Sequence, residues 1–207
     1  MSLLEQLRGV IERTYAVASG IREIAPYVIG DRGYRQFYAV TDDRAKTLIR
    51  EHRGDLHACI YYPDWMIRRL EEHPPQRGLN PLNVDAFATL VEELDHLVLL
   101  AWRGRQRRPV RLLELEIQAN ITKVLVMQRF LASGRKLSDE RRHWLYAQLF
   151  GRPEFVDRDP EVRQRYRDAS RYALRFLERL PRTPQRRLAQ LRQFYRLDGM
   201  QKLELLA

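Results

Sequence analysis

Two short stretches of the sequence place a glutamate three residues before a histidine. Glu93 precedes His96 in the first stretch, and Glu140 precedes His143 in the second. Residues three apart lie on one face of a helix, so each pair can offer a carboxylate and an imidazole to one ion. Di-metal sites in helical bundles use this Glu-x-x-His spacing, with a further inward glutamate from each of two other helices. The spacing predicts a candidate site for a divalent metal ion.

The helix predicted between these two stretches supplies one further inward carboxylate. Glu116 and Asn120 share a helical arc with apolar residues such as Ile117 and Val124. Because a buried, unpaired carboxylate is costly, Glu116 must be protonated, paired with a basic group, bound to a metal or placed at a cavity. A buried ion pair is the commoner solution. The alternative is a metal site formed by Glu93, His96, Glu116, Glu140 and His143. The position of His96 argues against this site, because it lies opposite the apolar arc of its own helix.

A predicted helix near the carboxyl terminus carries a regular row of arginines. They recur every four residues, as Arg163, Arg167, Arg171, Arg175 and Arg179. Residues four apart share a helix face, where like charges repel each other by some tenths of a kcal/mol per pair. A negatively charged group is therefore expected against this row. Acidic residues on neighbouring helices would make the row structural, whereas a phosphate backbone would make it a binding surface.

A second group of arginines follows the first strongly apolar helix. Five of them lie within nine residues, as Arg103, Arg105, Arg107, Arg108 and Arg111, interrupted by Gly104 and Pro109. Glycine and proline predict a loop here. Such a loop could hold phosphates while Trp102 stacks on a base. A solvated connection between two helices is the alternative interpretation.

The charge of the chain is uneven. The 207 residues include 37 Lys and Arg against 27 Asp and Glu, a net charge of +10. Residues 141–207 contribute 16 basic and 8 acidic side chains, and hence most of the excess. This balance favours a polyanionic partner, either nucleic acid or an acidic protein. The single cysteine, Cys59, excludes a disulfide scaffold and a cysteine zinc ribbon.

Several familiar classes of protein are not indicated. The sequence has no phosphate-binding glycine loop, nucleophile elbow or dinucleotide fingerprint. The longest apolar run, Leu97 to Trp102, is far shorter than the roughly 20 residues of a membrane span. Glu5 and Arg8 interrupt the amino terminus before a signal-like apolar core can form. We therefore expect a soluble, cytoplasmic protein.

Periodicity predicts a mainly α fold. Residues 1–78 are expected to form a helix and a small β-hairpin, with its strands at Lys46–Arg50 and Leu56–Tyr62. The proline-rich stretch His73–Pro81 is the best internal boundary. Residues 79–207 are then expected to form a helical bundle, with about five to seven helices in all and one compact domain overall. The predicted helices span about Asn83–Trp102, Val110–Ser133, Ser138–Phe150, Pro160–Leu180 and Thr183–Leu206.

Three functions are compatible with these patterns. The leading interpretation is a non-enzymatic accessory protein whose arginines bind a nucleic-acid backbone or another polyanion within a larger assembly, with no cofactor. The second is a helical-bundle enzyme with a carboxylate and histidine site, occupied by a divalent metal, among the helices at 84–102, 110–133 and 138–150. The third is an interaction module that docks on an acidic protein. The sequence leaves the partner's identity, the oligomeric state and any substrate open.

Overall fold

The computed structural model describes residues 1–132, 134, 136–151 and 159–206. Within these ranges the chain is mainly helical, as predicted, with nine α-helices and one small sheet. The helices are α1 (Leu3–Tyr15), α2 (Asp31–Tyr34), α3 (Asp64–Glu72), α4 (Val84–Arg105), α5 (Leu112–Ala132), α6 (Asp139–Tyr146), α7 (Pro160–Glu178), α8 (Pro184–Arg196) and α9 (Gly199–Leu206). The strands are β1 (Val28–Ile29), β2 (Lys46–His52) and β3 (Asp55–Tyr61). Ser133 and Ala207, the predicted ends of a helix and of the bundle, lie outside the described residues.

The sheet has three strands in the order β1-β3-β2. Strands β2 and β3 are antiparallel, and His52 lies opposite Asp55. Arg53 and Gly54 connect them with φ angles of 52° and 83°, the positive values that a two-residue hairpin turn requires. Strand β1 pairs with β3 in parallel on the other side. The prediction of a two-stranded hairpin was therefore wrong, because a strand of two residues carries no detectable alternation.

The described residues form more helices than the five to seven that were predicted. The short helix α2 lies in a stretch with glycines where periodicity predicts nothing firm. The last predicted helix, Thr183–Leu206, is divided into α8 and α9, because Leu197 has an extended backbone that ends α8. Asp198 and Gln201 then start α9 reciprocally: each side chain accepts a hydrogen bond from the other residue's backbone N–H, at 2.9 and 3.0 Å. Within the described residues, none of the helices is long and apolar enough to span a membrane.

Helices α4 and α5 form the centre of the fold. Helix α4 packs against α1, α3, α5 and the strands β2 and β3, while α5 packs against α4, α6, α7 and α9. Both helices are therefore buried around most of their circumference. His96, which lies opposite the apolar arc of α4, is therefore covered by neighbouring elements instead of water.

The first helix belongs to the packing of the bundle. Helix α1 contacts α4, α5 and α8, and its Leu7, Ile11 and Tyr15 are buried. Ser2 caps its amino terminus by accepting a hydrogen bond from the Glu5 backbone N–H at 3.2 Å. The division of the chain between residues 78 and 79 stays a prediction.

Candidate metal centre

A cluster of acidic and basic side chains lies between α4 and α5. Helix α4 contributes Glu92, Glu93 and His96, and α5 contributes Glu116 and Lys123. The side chains of His96 and Glu116 are each 8% exposed. They are buried because α4 is covered on two sides, by the sheet and by α5. The packing of the central helices therefore holds several ionisable groups away from bulk water.

Three of these residues can direct one atom each toward a common point. A carboxylate oxygen of Glu92, a ring nitrogen of His96 and a carboxylate oxygen of Glu116 all lie within 4.8 Å of one another. The Nε2 atom of His96 is 3.8 Å from Oε2 of Glu116. Their combination of one imidazole and two carboxylates is a common ligand set for divalent first-row metals. Small side-chain rotations would bring the three atoms to coordination distance.

Glu93 and Thr47 support the histidine from the other side of its ring. The Nδ1 atom of His96 lies 3.5 Å from Oε2 of Glu93. That carboxylate oxygen accepts a hydrogen bond from Oγ1 of Thr47 on β2, at 2.7 Å. A carboxylate beside the second ring nitrogen fixes the orientation of a metal-ligating histidine and leaves the other nitrogen for the ion. The sheet thus helps to aim Nε2 of His96 toward Glu116.

Lys123 and Glu116 both interact with Glu92. The Nζ atom of Lys123 is 2.7 Å from Oε2 of Glu92, and the Glu116 carboxyl is hydrogen-bonded to the same residue. Burial favours the neutral form of Glu92, but Lys123 and His96 together hold the pKa of this carboxyl below its usual value. Glu92 is therefore a permanent anion at the edge of the cluster.

The proton affinities of His96 and Glu116 are both raised. Burial alone would lower the pKa of His96, but Glu93, Glu116 and Glu92 outweigh it and raise this pKa to about 10. Burial raises the pKa of Glu116 to about 7, although the nearby His96 opposes the change. At neutral pH the cluster thus holds a protonated imidazole and a partly protonated carboxyl.

Tyr166 on α7 faces the same group of carboxylates. Burial raises the pKa of its phenol, and the negative charges of Glu116, Glu92 and Glu93 raise it further. The Arg165 guanidinium lies 5.5 Å from the centre of the Tyr166 ring. The phenol remains protonated at neutral pH and can donate a hydrogen bond at this edge of the cluster.

One polar atom of the cluster has no hydrogen-bond partner. Among the described residues, Nε2 of His96 is buried and unbonded, although its own ring is protonated at neutral pH. Buried polar atoms usually have a partner, and an exception calls for an explanation such as an ion. A metal ion between Nε2 of His96 and the carboxylates of Glu92 and Glu116 would satisfy this nitrogen.

The predicted ligands divide into two groups. The structure brings Glu93, His96 and Glu116 together between α4 and α5. Glu140 and His143 are instead exposed on α6, where Leu145 is the residue that packs inward, and they are not part of the cluster. Metal binding by this pair stays a prediction that the arrangement does not support, because Glu140 lies in the solvated first turn of a helix.

Four residues around the cluster were not identified as site residues from the sequence. Glu92 lies four residues before His96 and can pair with it on one face of the helix, but this face is opposite the apolar arc, which argues against burial. Lys123, Tyr166 and Thr47 come from three other elements. Only the spacing of Glu92 and His96 carried a local signal, since the other contacts depend on tertiary packing.

The arginine row of α7 has internal partners. Arg175 and Arg179 donate hydrogen bonds to the carbonyls of Leu206 and Leu205, respectively, at the end of α9. Arg171 pairs with an aspartate one turn earlier on the same helix, at 3.0 Å. Cations at a helix carboxyl terminus satisfy unpaired carbonyls and interact favourably with the helix dipole. Part of the row therefore stabilises the fold, and polyanion binding by Arg163, Arg167, Arg171, Arg175 and Arg179 stays a prediction.

The predicted loop of arginines is shorter than expected, and one member is buried. Helix α4 continues to Arg105, because a single glycine at 104 is tolerated in a helix. Arg103 is fully buried, and donates to Glu114 at 2.9 Å and to the carbonyl of Leu197. In this position the Arg103 guanidinium is not accessible to an external polyanion, and polyanion binding by the group stays a prediction. Four other arginines of this group remain exposed, namely Arg105, Arg107, Arg108 and Arg111.

Arg103 belongs to a second buried cluster, which joins α4, α5 and α9. Oε1 of Glu114 accepts hydrogen bonds from Arg103 at 2.9 Å and from Nζ of Lys202 at 3.1 Å. Burial lowers the pKa of Lys202 to about 8, although Glu114 acts in the opposite direction. With two cations and one anion, this cluster has no attraction for a metal ion and serves to lock α9 in place.

Comparison with known proteins gives no relative: no protein-family model, no curated protein and no solved structure matches the chain.

Proposed function

We propose that this protein is a helical-bundle metalloprotein that binds a divalent first-row transition metal through Glu92, His96 and Glu116. The observation that carries the proposal is their convergence within 4.8 Å in a largely buried location. A buried, unbonded Nε2 of His96 aimed at Glu116 supports it independently. This is the second of the functions compatible with the sequence, with Glu92 in place of Glu140 and His143.

The charge of the cluster also suits an ion. Without metal, the cationic side chains of His96 and Lys123 lie among the carboxyl groups of Glu92, Glu93 and Glu116, and Glu116 carries a proton below about pH 7. A divalent ion would displace one proton from His96 and one from Glu116, and would leave the total charge of the cluster unchanged. A buried site tolerates such an exchange because no net charge is added to a region of low polarity.

The ligand set suggests both the kind of metal and its role. One nitrogen and two carboxylate oxygens suit Mn²⁺, Fe²⁺ or Zn²⁺ better than the all-oxygen ions Mg²⁺ and Ca²⁺. Structural sites are usually closed by four protein ligands, whereas catalytic sites keep positions for water or substrate. Three ligands, with the Tyr166 phenol at the edge, favour a catalytic role in which the ion acts as a Lewis acid.

Titration of the metal-depleted protein with Mn²⁺ tests this proposal. We expect saturable binding of one equivalent, monitored by the decrease in the electron paramagnetic resonance signal of free Mn²⁺. Glu116→Gln removes one ligand without a change of shape and should weaken binding by at least about 100-fold. A melting curve in chelator would show that this variant is folded.

The exposed pair on α6 provides a matched control. The double variant Glu140→Gln and His143→Gln changes the same residue types at the same spacing, but outside the cluster. It should bind Mn²⁺ as the unaltered protein does. Failure of the unaltered protein to bind Mn²⁺, Fe²⁺ or Zn²⁺ at millimolar concentration would show that the cluster is a closed set of ion pairs. Equal loss in the control and in Glu116→Gln would place the metal elsewhere.

A further inference from the structure

Seven arginines from three separate stretches of the chain meet at one end of the bundle. They are Arg13 of α1, Arg105 of α4, Arg107 and Arg108 of the connection that follows, Arg111 before α5, and Arg192 and Arg196 of α8. We refer to this group as the basic pole. Six of its members are exposed, and Arg192 is half-buried. The sequence separates these residues by up to 183 positions, so the fold alone creates the group.

Contacts between α8 and α1 bring two segments of the basic pole together. Arg196 donates hydrogen bonds to the carbonyls of Tyr15 and Ala16, at 3.2 and 2.7 Å. Arg192 reaches the carbonyls of Arg13 and Thr14 in the same way, at 3.4 and 3.2 Å. These bonds fix both guanidinium groups at the carboxyl end of α1, beside Arg13.

Further contacts attach the end of α4 and the start of α5. The guanidinium of Arg105 packs so closely on Gly20, just after α1, that a Cβ there would lie 1.8 Å from Nη1. Arg108 donates to the carbonyl of Arg196 at 3.4 Å. Arg111 donates to Sδ of Met200, at the start of α9, at 3.0 Å. Residues 105–111 are thus connected to α8 through Arg108 and to the chain after α1 through Arg105, while Arg111 contacts α9, which follows α8.

Most of the positive charge of the basic pole is not neutralised within the molecule, although the carboxylate of Asp198 attracts the Arg108 guanidinium from beyond ion-pair distance. Across the described ranges, none of its seven arginines is within ion-pair distance of a carboxylate. Glu12, the acidic residue beside Arg13, pairs with Arg8 and also accepts a hydrogen bond from Ser19. The carboxylate of Asp198 accepts the Gln201 backbone N–H. Like charges at this density repel, so an external anion would stabilise the surface.

We propose that the basic pole binds the phosphate backbone of a nucleic acid, without sequence preference. Guanidinium forks match phosphate oxygens, and a chain of phosphates can meet arginines from several segments at once. Nucleic-acid interfaces are much more positively charged than protein–protein interfaces. The arginine density of the basic pole therefore favours a nucleic acid over an acidic protein. The site is distinct from the metal cluster and does not depend on it.

Fluorescence anisotropy with labelled oligonucleotides tests the proposal. Binding of a 20-nucleotide single-stranded RNA and of a 20-base-pair DNA duplex would be measured in chelator at several salt concentrations. The logarithm of affinity should fall linearly with the logarithm of salt, by about 0.9 per phosphate contact on duplex DNA and about 0.7 on a single strand. Comparison of the two probes identifies which form of the backbone is preferred. The chelator separates this result from metal binding.

Two double variants decide whether the basic pole is responsible. Arg107→Gln with Arg111→Gln removes two exposed charges that form no backbone hydrogen bond. The slope should flatten by about 1.4 to 1.8, because two phosphates no longer meet a guanidinium. Arg32→Gln with Arg35→Gln makes the same change of net charge within α2 and at its carboxyl end, where Tyr34 stacks on Tyr61. Tyr61 lies at one end of β3, and Leu56 lies at the other end, beside Gly104 of α4 and hence near the basic pole. The control charges are therefore distant from the basic pole, and this variant should keep the slope.

Three results would overturn the proposal. The first is no binding of either oligonucleotide at 20 mM salt. The second is the same loss in the α2 control as in the pole variant, which would indicate a general effect of net charge. The third is displacement of the oligonucleotide by polyglutamate at an equal concentration of charge, which would assign the surface to acidic proteins.

Discussion

The exchange of a metal ion for two protons makes a quantitative prediction. A metal must displace the proton of His96, whose pKa is about 10, and any proton on Glu116, whose pKa is about 7. The slope of log affinity against pH equals the number of protons released. We expect a slope near two at pH 6, where both groups are protonated, and near one at pH 8, where Glu116 has ionised. Affinity for Mn²⁺ should therefore rise by about 1000-fold between pH 6 and pH 8.

The variant Glu116→Gln removes one of these protons. Its affinity should rise by only about 100-fold over the same range, with a constant slope of one from His96. Isothermal titration calorimetry in two buffers of different ionisation enthalpy counts the protons directly at each pH. An affinity for Mn²⁺ that does not change between pH 6 and pH 8 would refute the assignment of His96 as a ligand. A slope of two retained in Glu116→Gln would refute the role of Glu116.

Further predictions concern the buried charges and the helix ends. Asp95 is fully buried with a pKa of about 6, above its usual 3.8, so its burial lowers stability progressively as the pH rises from 3.8 to about 6, and the full loss applies above pH 6. Asp95→Asn should therefore stabilise the protein at pH 8, by up to about 3 kcal/mol, and have little effect at pH 4 in urea denaturation. Glu114→Gln should cost about 3–5 kcal/mol because it leaves two buried cations unpaired, whereas Lys202→Met should be nearly neutral. Arg196→Gln should lower stability by about 1–2 kcal/mol through the lost cap of α1, whereas the exposed Glu161→Gln should leave the melting temperature unchanged.

Helical periodicity predicted the central helices well but misjudged which of their faces are buried. An amphipathic pattern assumes that one side of a helix meets the core and the other meets water. Helix α4 violates this assumption because β2 and α5 cover the side that carries Glu92 and His96. Tertiary cover of this kind has no signature in the helix itself, so His96 was predicted to lie away from the core.

Local spacing predicted one contact within the candidate cluster, but the same spacing also marked a pair that lies outside it. Glu93 and His96 do contact each other, as the three-residue spacing requires. Glu140 and His143 have the same spacing but lie in solvent, since spacing specifies neighbours on a helix and not burial. The break between α8 and α9, by contrast, has a local signal: Asp198 is followed by a glutamine three residues later, as in a capping box.

The arginines of this chain have two roles that the sequence does not separate: some satisfy carbonyls at the ends of helices, and others provide positive charge at the surface. Arginines that satisfy carbonyls at the ends of helices include Arg141 for α5, Arg175 and Arg179 for α9, and Arg192 and Arg196 for α1. Each guanidinium in this role uses part of its donors within the fold while it keeps its charge. Net charge therefore overstates the number of arginines with free donors but not the electrostatic field at the surface. Arginines of α8 cap the carboxyl end of α1, and this capping concentrates positive charge at the basic pole. A polyanion site can therefore arise there from residues that already stabilise the fold.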